Sequence, residues 1–178
     1  LETASKRSTA SILKMQREIF DLEDLERSQT PADDEVSLKR REFRMRMLIM
    51  LHKLVVSDDA SRLTEIAMSI FGGHGLMEDF SSIPRLYRDA VVLNGAWEGP
   101  RNLLLTRIFM DMQRAAERWY EPADFVTELL RETSAESRDA LAGELAELLA
   151  FESLVADDPK TLEVCDRWDT LCTELFHA

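Results

Sequence analysis

Three short segments of this chain carry residues that could do chemistry, and each also has a purely structural explanation. The first, residues 71–75, contains Gly72, Gly73 and Gly75. Three glycines in four positions after a helical pattern indicate positive φ, or a backbone that comes close to another group. For the segment alone, a helix C-cap with a tight turn is the explanation we favour. The segment also lacks the strand and helix that flank a dinucleotide-binding glycine loop.

The second segment, residues 84–90, places two arginines, a tyrosine and an aspartate within about two turns. An ion-paired turn that holds the loop against the helices is the explanation we favour for these charges. The segment therefore predicts a fixed connection and no reactive group of its own.

The third segment, residues 96–102, places Glu98 beside Trp97 and just before a predicted helix. A carboxylate there can cap the helix or interact with its dipole, which is worth about 0.3–1 kcal/mol. In a site desolvated by an aromatic neighbour, the same carboxylate would have a raised pKa and could act as a general base near neutrality. For the segment alone, interaction with the helix terminus is the role we favour.

The elements that must position these segments are predicted to be helices throughout. Apolar residues recur at spacings of three and four, glycine and proline are scarce, and no segment reads as a convincing strand. We expect helices at 4–27, 34–57, 58–71 and 100–119, three more after 120, and an irregular stretch from 72 to 99 with a short helix at 85–90. The predicted fold class is all-α, a helical bundle with an additional C-terminal helical segment.

The net charge and the hydropathy of the sequence restrict the classes of partner that we expect. The net charge of −12 repels phosphate backbones, so we expect no nucleic acid partner. No run of about 20 apolar residues occurs, so we expect no membrane span. The first residues do not form a signal peptide, and they begin inside a helical pattern without an initiator methionine. We therefore expect the chain to be part of a longer polypeptide.

The two cysteines, Cys165 and Cys172, are seven residues apart in a helical pattern, so they share one face. We expect both to be buried as small apolar residues, because a disulfide along one helix is geometrically implausible. Two thiols alone do not make a zinc site, so no metal is expected. Free thiols are typical of a reducing compartment, and the cytoplasm is the predicted location.

Read in order, the three segments resemble the acyl-CoA dehydrogenase family. In that family's C-terminal helical domain a glycine-rich turn follows a helix, an Arg-Asp-Ala segment comes about a dozen residues later, and an aromatic-Glu-Gly-Thr motif opens the next helix. Here the counterparts are residues 72–75, 88–90 and 97–99. The motif-bearing resemblance covers about 58–115. It implies a family domain at 1–119 and a helical extension at 120–178, as in some larger members and in relatives implicated in alkylation response.

The resemblance implies a function, the α,β-dehydrogenation of an acyl-CoA thioester with FAD as cofactor. Glu98 matches the carboxylate that removes the α-proton while flavin accepts the β-hydride. Trp97 matches an aromatic position beside the flavin and the acyl chain, and Gly99 matches a backbone contact to the substrate. Gly72 and Gly73 match the turn that approaches the adenosine-diphosphate part of FAD held by a neighbouring subunit. The implied cofactor-binding positions are Ser69, Gly72, Gly73, Pro100 and Asn102.

The resemblance also implies partners. These are an acyl-CoA substrate, further copies of the chain in a dimer or tetramer, and electron-transfer flavoprotein as a candidate electron acceptor. We expect the apolar runs at 45–56 and 103–112 to form the contacts between copies. The family's N-terminal helical domain and β domain have no counterpart in this sequence. A longer polypeptide or a partner chain would therefore have to supply them.

An alternative function remains open, a family-derived helical domain for oligomerisation or partner binding with a degenerate flavin site. Ser69 stands where the family often has Gln, and Pro100 stands where it has Thr. Proline offers neither a hydroxyl nor an N–H group to a flavin. The sequence does not indicate the acyl chain length.

Overall fold

The described part of the chain is helical throughout, which confirms the predicted all-α fold class. The computed structural model describes residues 2–28, 35–96, 100–151 and 158–178. Within them it contains no strand. The α-helices are α1 (Glu2–Ser28), α2 (Glu35–Ile70), α3 (Ile83–Ala96), α4 (Arg101–Ala116), α5 (Pro122–Leu129), α6 (Ala135–Leu149) and α7 (Pro159–His177), with a 3₁₀ turn at Gly72–Leu76. No helix in the described ranges is long and apolar enough to cross a membrane.

The longest helix, α2, organises the packing. It contacts α1, α3, α4 and α7 as well as the 3₁₀ turn. Its central part presents Met47, Leu51 and Leu54 to one continuous core, and all three are essentially inaccessible to solvent. Side chains of that size each contribute roughly 1.5–3 kcal/mol when fully buried. The partners of these residues in the core are Ile108, Phe109 and Met112 of α4, Phe125 and Val126 of α5, Leu145 and Leu148 of α6, and Trp168, Leu171 and Cys172 of α7.

The hydrophobic core crosses the predicted domain boundary between residues 119 and 120. Trp168 of α7 donates from its indole Nε1 to the carbonyl of Leu105 in α4 at 3.0 Å. The same indole meets the ring of Phe109 edge-on, with centroids 5.1 Å apart. Gln113 of α4 donates to the carbonyl of Leu149 at the end of α6 at 3.1 Å. The helices after 120 therefore share their core with α2 and α4. The two-domain division stays a prediction.

Two predicted helices are in fact one. We expected a helix to end near 57 and a second to start at the Asp58-Asp59 pair, but α2 runs without interruption from Glu35 to Ile70. Neither aspartate is followed by the glycine or proline that would end a helix, and helix propensity alone is a weak signal. The Asp58 carboxylate accepts from Arg101 of α4, and Asp59 pairs with Arg62 at 3.5 Å.

The irregular stretch is also shorter than predicted. The short helix expected at 85–90 is the 14-residue α3, Ile83–Ala96, so only residues 71–82 of the described stretch are turns. Pro84 lies in the first turn of α3, where its missing N–H costs no hydrogen bond.

The two cysteines differ in exposure. Cys172 is buried, as expected, but Cys165 is exposed, so the prediction that both thiols are buried is wrong for Cys165. On this turn of α7 the core position belongs to Val164, which is buried, and Cys165 beside it faces solvent. Leu162, one turn earlier, is also 65% exposed.

Candidate functional site

The glycine-rich turn follows directly from the end of α2. Gly72 adopts a left-handed backbone with φ of 56°, which ends the helix at low cost only because glycine has no Cβ. Gly75 serves a different purpose. A Cβ there would lie 2.0 Å from the carbonyl oxygen of Met68, so the turn packs its backbone directly on α2. The close approach expected from the glycine cluster is therefore made, at Gly75, to the chain's own helix.

The predicted cofactor positions on this turn face solvent. Nothing lies within 4 Å of where a Cβ would stand on Gly72 or Gly73, and both residues are exposed. Ser69, in the last turn of α2, is exposed too, and its hydroxyl donates to the carbonyl of Ile66 at 2.7 Å. The backbone of the turn is thus open to contact by a ligand or another chain.

The segment at 84–90 forms ion pairs, in agreement with the structural explanation. Arg88 of α3 donates to the carboxylate of Glu78 at 3.3 Å, which links α3 to the loop before it. Arg85 approaches Asp89 at 4.0 Å, one helical turn away. All four side chains are more than half exposed, so these pairs contribute little stability and serve to orient the loop.

The end of α2, the turn and α3 together present an apolar surface to solvent. We call it the hairpin face. Its large side chains are at least 43% exposed, in a region where α3 packs only on α2 and the turn among the stronger helix contacts. The hairpin face consists of Ile66, Ile70, Phe71, Leu76, Met77, Phe80, Leu86, Val91 and Val92. An exposed apolar surface of this kind marks a site of interaction with another protein surface or ligand.

The described part of the third segment, residues 96–102, lies mainly at the start of α4. Pro100 is the N-cap residue, with φ of −64° and ψ of 161°, and its carbonyl accepts from the backbone N–H of Leu103 at 2.9 Å. Asn102 is exposed, and its side-chain oxygen also accepts from Leu103. Trp97, Glu98 and Gly99 lie outside the described residues. The roles assigned to them stay predictions.

An open cleft of about 610 Å³ lies beside the start of α4. It is lined by Asp58, Ser61, Val91, Pro100, Arg101, Asn102, Leu105 and Asp169. The fold thus brings Pro100 and Asn102 together on one cleft with residues of α2, α3 and α7. Ser69, Gly72 and Gly73 do not line it. Ser69 lies eight residues beyond Ser61, which is roughly 12 Å along the axis of α2. The predicted cofactor positions therefore fall into two groups, one at the cleft and one on the exposed turn.

Arg101 is the most highly connected side chain at the cleft. Its Nε donates to Asp169 of α7 at 3.1 Å, and a second guanidinium nitrogen donates to the other oxygen of that carboxylate. Its Nη1 donates to the Asp58 carboxylate and, at 3.1 Å, to the carbonyl of Leu54. Burial alone would lower the pKa of Arg101, but the hydrogen bonds to Asp169 and the charges of both carboxylates raise this pKa above its ordinary value.

A family model described as acyl-CoA dehydrogenase, C-terminal domain, matches residues 15–113 of the chain. The chain belongs to this family. The match covers more than half of the sequence and contains every predicted site residue from Ser69 to Asn102. Comparison with curated proteins finds no match, and comparison with solved structures finds none either.

The acyl-CoA dehydrogenase match ends within α4, three residues before Ala116. Helices α5, α6 and α7 therefore lie outside the matched region. They nevertheless contribute to the core, and α7 contributes Asp169 to the cleft. The cleft is thus built partly from the family domain and partly from the helices that follow it.

A second group of titratable side chains lies between α2 and α5, away from the cleft. Arg44 donates to the hydroxyl of Tyr120 at 2.8 Å, and that hydroxyl donates to Glu128 at 2.9 Å. Burial raises the pKa of Tyr120 to about 12, although the hydrogen bond from Arg44 acts in the opposite direction. Among the described residues, no group of three or more His, Cys, Asp or Glu side chains could hold a metal ion.

Sequence reasoning did not place Arg101, Asp58 or Asp169 in a functional site. Arg101 stands inside the segment at 96–102, so its position next to the candidate base was visible. Its hydrogen-bond partners, Asp58 and Asp169, could not be predicted, because they lie 43 and 68 residues away along the chain. The only local signal was an arginine in the first turn of a helix, where a positive charge is unfavourable for the helix dipole.

Proposed function

We propose that this chain is the C-terminal portion of an FAD-dependent acyl-CoA dehydrogenase that catalyses α,β-dehydrogenation of an acyl-CoA thioester. Glu98 is the base that removes the α-proton. The observation that carries the proposal is the motif order in a chain of this family. The glycine-rich turn, the Arg-Asp-Ala segment and Trp97-Glu98-Gly99 follow one another, and the last of these stands immediately before Pro100 at the cleft.

The proposed chemistry requires a base with a raised pKa. The α-proton of a thioester is weakly acidic, so the carboxylate of Glu98 must be desolvated to act near neutrality. The indole of Trp97 is the neighbouring apolar group in the sequence. The backbone of Gly99 is the proposed contact to the substrate, and it holds the acyl group so that its α-carbon faces the base.

The described residues offer FAD a partial binding surface. The exposed side-chain amide of Asn102 borders the cleft, and the backbone at Gly72 and Gly73 is unobstructed. Pro100 can only pack against a ligand, since it has no N–H or hydroxyl, and the hydroxyl of Ser69 already donates to Ile66. When bound, the flavin would supply the hydride acceptor for the β-carbon.

The proposed function also requires other subunits, further domains and an electron acceptor. The two groups of cofactor positions, separated along α2, are consistent with contacts to flavins held by different subunits of a homo-oligomer. The hairpin face is a surface against which further domains of the polypeptide, or a partner chain, would pack. Electron-transfer flavoprotein is the proposed acceptor of the electrons.

The test is the substitution Glu98→Gln in the full-length protein. The amide has nearly the same shape but cannot accept the α-proton, so the rate of flavin bleaching by acyl-CoA thioesters should fall by about 10²–10⁴-fold. Flavin content and helicity should not change. Glu117→Gln is the matched control, because it makes the same change at an exposed position at the other end of α4. Equal bleaching rates in wild type and Glu98→Gln would refute the proposed role.

A second candidate function is a helical domain for oligomerisation or partner binding with a degenerate flavin site. Pro100, where the family has Thr, and the large hairpin face favour it. The two functions differ in one simple measurement on the full-length protein. An FAD-dependent enzyme purifies with visible flavin absorbance or acquires it when FAD is added. A protein that assembles normally but takes up no FAD would support the second function.

A further inference from the structure

Helix α1 is covered along one face only. Among the stronger helix contacts of the described chain, α1 packs on α2 alone. The covered face includes Met15, which is buried, and Glu18, whose carboxylate accepts from Arg41 of α2 at 2.9 Å. Much of the remaining surface of this 27-residue helix is therefore open to another chain.

The uncovered side of α1 carries large apolar side chains on both sides of Gln16. At about 100° per residue, these side chains lie within roughly 60° of the direction of Gln16, whereas Met15 lies about 100° away from it. We call them the α1 face. The α1 face consists of Ile12, Leu13, Ile19 and Phe20, with exposed fractions from 37% to 66%. Neighbouring apolar residues on one helix face mark an interaction surface more clearly than single exposed ones do.

The α1 face is symmetric about its midpoint. Leu13 and Ile19 stand three residues on either side of Gln16, and Ile12 and Phe20 stand four residues on either side. In an antiparallel pair of α1 helices centred on Gln16, Leu13 lies at the same level as Ile19 of the second copy. Ile12 likewise lies level with Phe20 of the second copy. The same surface meets itself, as in a contact about a twofold axis.

The charges of α1 favour the antiparallel direction. Residues 2–16 contain three basic residues and one acidic residue, whereas residues 17–28 contain five acidic and two basic residues. In a parallel pair the two basic halves would meet each other, and so would the two acidic halves. An antiparallel pair instead places each basic half beside an acidic half, which is the complementary arrangement.

One charge pair is placed specifically by this geometry. Lys6 and Asp24 both lie about 80° from the direction of Gln16, on the side away from Met15. In the antiparallel pair they stand at nearly the same level, so Lys6 of each copy lies beside Asp24 of the other. Within the chain Lys6 pairs with Glu2 at 2.6 Å, and both side chains remain at least 75% exposed. Asp24 is exposed as well.

We propose that α1 is a self-complementary interaction surface, on which the α1 helix of a second copy of this chain binds in antiparallel orientation about a twofold axis beside Gln16. The contact contains two symmetry-related sets of apolar layers and two pairs of Lys6 with Asp24. The proposal does not rest on the proposed function, because it uses neither the cleft nor the glycine-rich turn.

The test is cross-linking between copies of the full-length protein through single cysteines on α1. Thr9 and Glu23 stand seven residues on either side of Gln16, so the antiparallel pair places residue 9 opposite residue 23 of the second copy. Residues 9 of the two copies would lie about 21 Å apart along the helices. The background variant is Cys165→Ser, since Cys165 is the exposed native thiol and Cys172 is buried.

A mixture of Thr9→Cys and Glu23→Cys should give a cross-linked dimer with a short bifunctional thiol reagent, and Thr9→Cys alone should give none. Cross-linking of Thr9→Cys to itself would indicate a parallel pair and would overturn the proposal. So would the absence of any product in the mixture. Another part of the polypeptide, or a different protein, would then cover the α1 face.

Phe20→Ser tests the apolar layers, with Leu162→Ser as the matched control. Both side chains are large and apolar, and they are 66% and 65% exposed, but Leu162 lies on α7. Phe20→Ser should slow the cross-linking of residue 9 to residue 23 by about 10-fold or more, as expected for an aromatic residue at the centre of an interface. Leu162→Ser should leave it unchanged, and helicity should be retained in both. A wild-type rate in Phe20→Ser would contradict the proposal.

A charge exchange tests the direction independently. Lys6→Glu and Asp24→Lys should each slow cross-linking by roughly 3–10-fold, because exposed ion pairs are weak. The two changes together in one chain should restore it, because each new pair again has opposite charges. Within one helix the two positions are about 27 Å apart, so the recovery can arise only between copies. A double variant that cross-links as slowly as the single ones would overturn the antiparallel arrangement.

Discussion

Replacing Gly75 by alanine tests whether the glycine-rich turn is packed against its own helix. The added Cβ would lie 2.0 Å from the carbonyl oxygen of Met68 and 2.8 Å from the carbonyl carbon. Backbone atoms cannot rotate away as a side chain can, so the turn or the end of α2 must shift by roughly 1 Å to restore normal contact. Gly73→Ala is the matched control, because it adds the same methyl group two residues earlier, where nothing lies within 4 Å.

The expected difference between the two variants follows from these contacts. Overpacking of this kind costs about 1–3 kcal/mol, and rigid backbone surroundings place Gly75→Ala at the upper end. Gly73→Ala should instead stabilise by about 0.4–1 kcal/mol, since alanine reduces the freedom of the unfolded chain and φ at Gly73 is not in the left-handed region. The two free energies of unfolding should therefore differ by about 1.5–4 kcal/mol.

The assay is thermal unfolding followed by far-ultraviolet circular dichroism, together with hydrogen exchange of residues 72–82. Each kcal/mol should lower Tm by about 2–4 °C in a chain of this size. Because the turn packs only on α2 and α3 among the stronger contacts, part of the loss should appear as local opening and faster exchange. A Gly75→Ala protein as stable and as slowly exchanging as Gly73→Ala would refute the reasoning from the Met68 carbonyl.

Three further predictions concern residues from 120 onwards. Trp168→Ala should lower the free energy of unfolding by about 3–5 kcal/mol, whereas Leu162→Ala, in the same helix but 65% exposed, should stay within about 0.5 kcal/mol by urea denaturation. A thiol reagent at about pH 8 should modify Cys165 rapidly in the folded chain and Cys172 only after denaturation, because burial raises the pKa of Cys172 and blocks access. Burial raises the pKa of Tyr120 to about 12 in the folded state, so stability is fully present below about pH 10 and is lost as the pH rises towards 12. Denaturation at several alkaline pH values should show this loss in wild type and a smaller one in Tyr120→Phe.

The sequence predicts the helices well where the signals are local. Apolar periodicity indicated α1 and α4. Ser134 and Asp158, residue types that favour helix N-caps, cap α6 and α7 by accepting from the N–H groups of Ser137 and Lys160. Asp58 was misread because an aspartate resembles a helix start, while a partner on another helix explains why it stands in the middle of one. A pattern of neighbouring residues along the chain gives no information about such a partner.

The candidate site also has features that the local sequence predicts and features that depend on packing. Glycines and a glutamate beside a tryptophan are local features, so the segments at 71–75 and 96–102 could be recognised from sequence. Which glycine packs closely could not, because the contact of Gly75 with Met68 depends on how the turn folds back over α2. Periodicity likewise placed Cys165 and Cys172 on one face, but only the packing decides that Val164, and not Cys165, is buried on its turn of α7.

The core explains why the helices after 120 matter to a site whose chemistry lies before them. Ile108, Phe109 and Met112 of α4 are buried in one core with side chains of α2 and of α5, α6 and α7. The family match stops at residue 113, so it describes a helix whose buried face depends on segments beyond the match. The motif residues carry the proposed chemistry, and the helix that follows them is held at its first residue by α2 and α7, through the hydrogen bonds of Arg101 to Asp58 and Asp169.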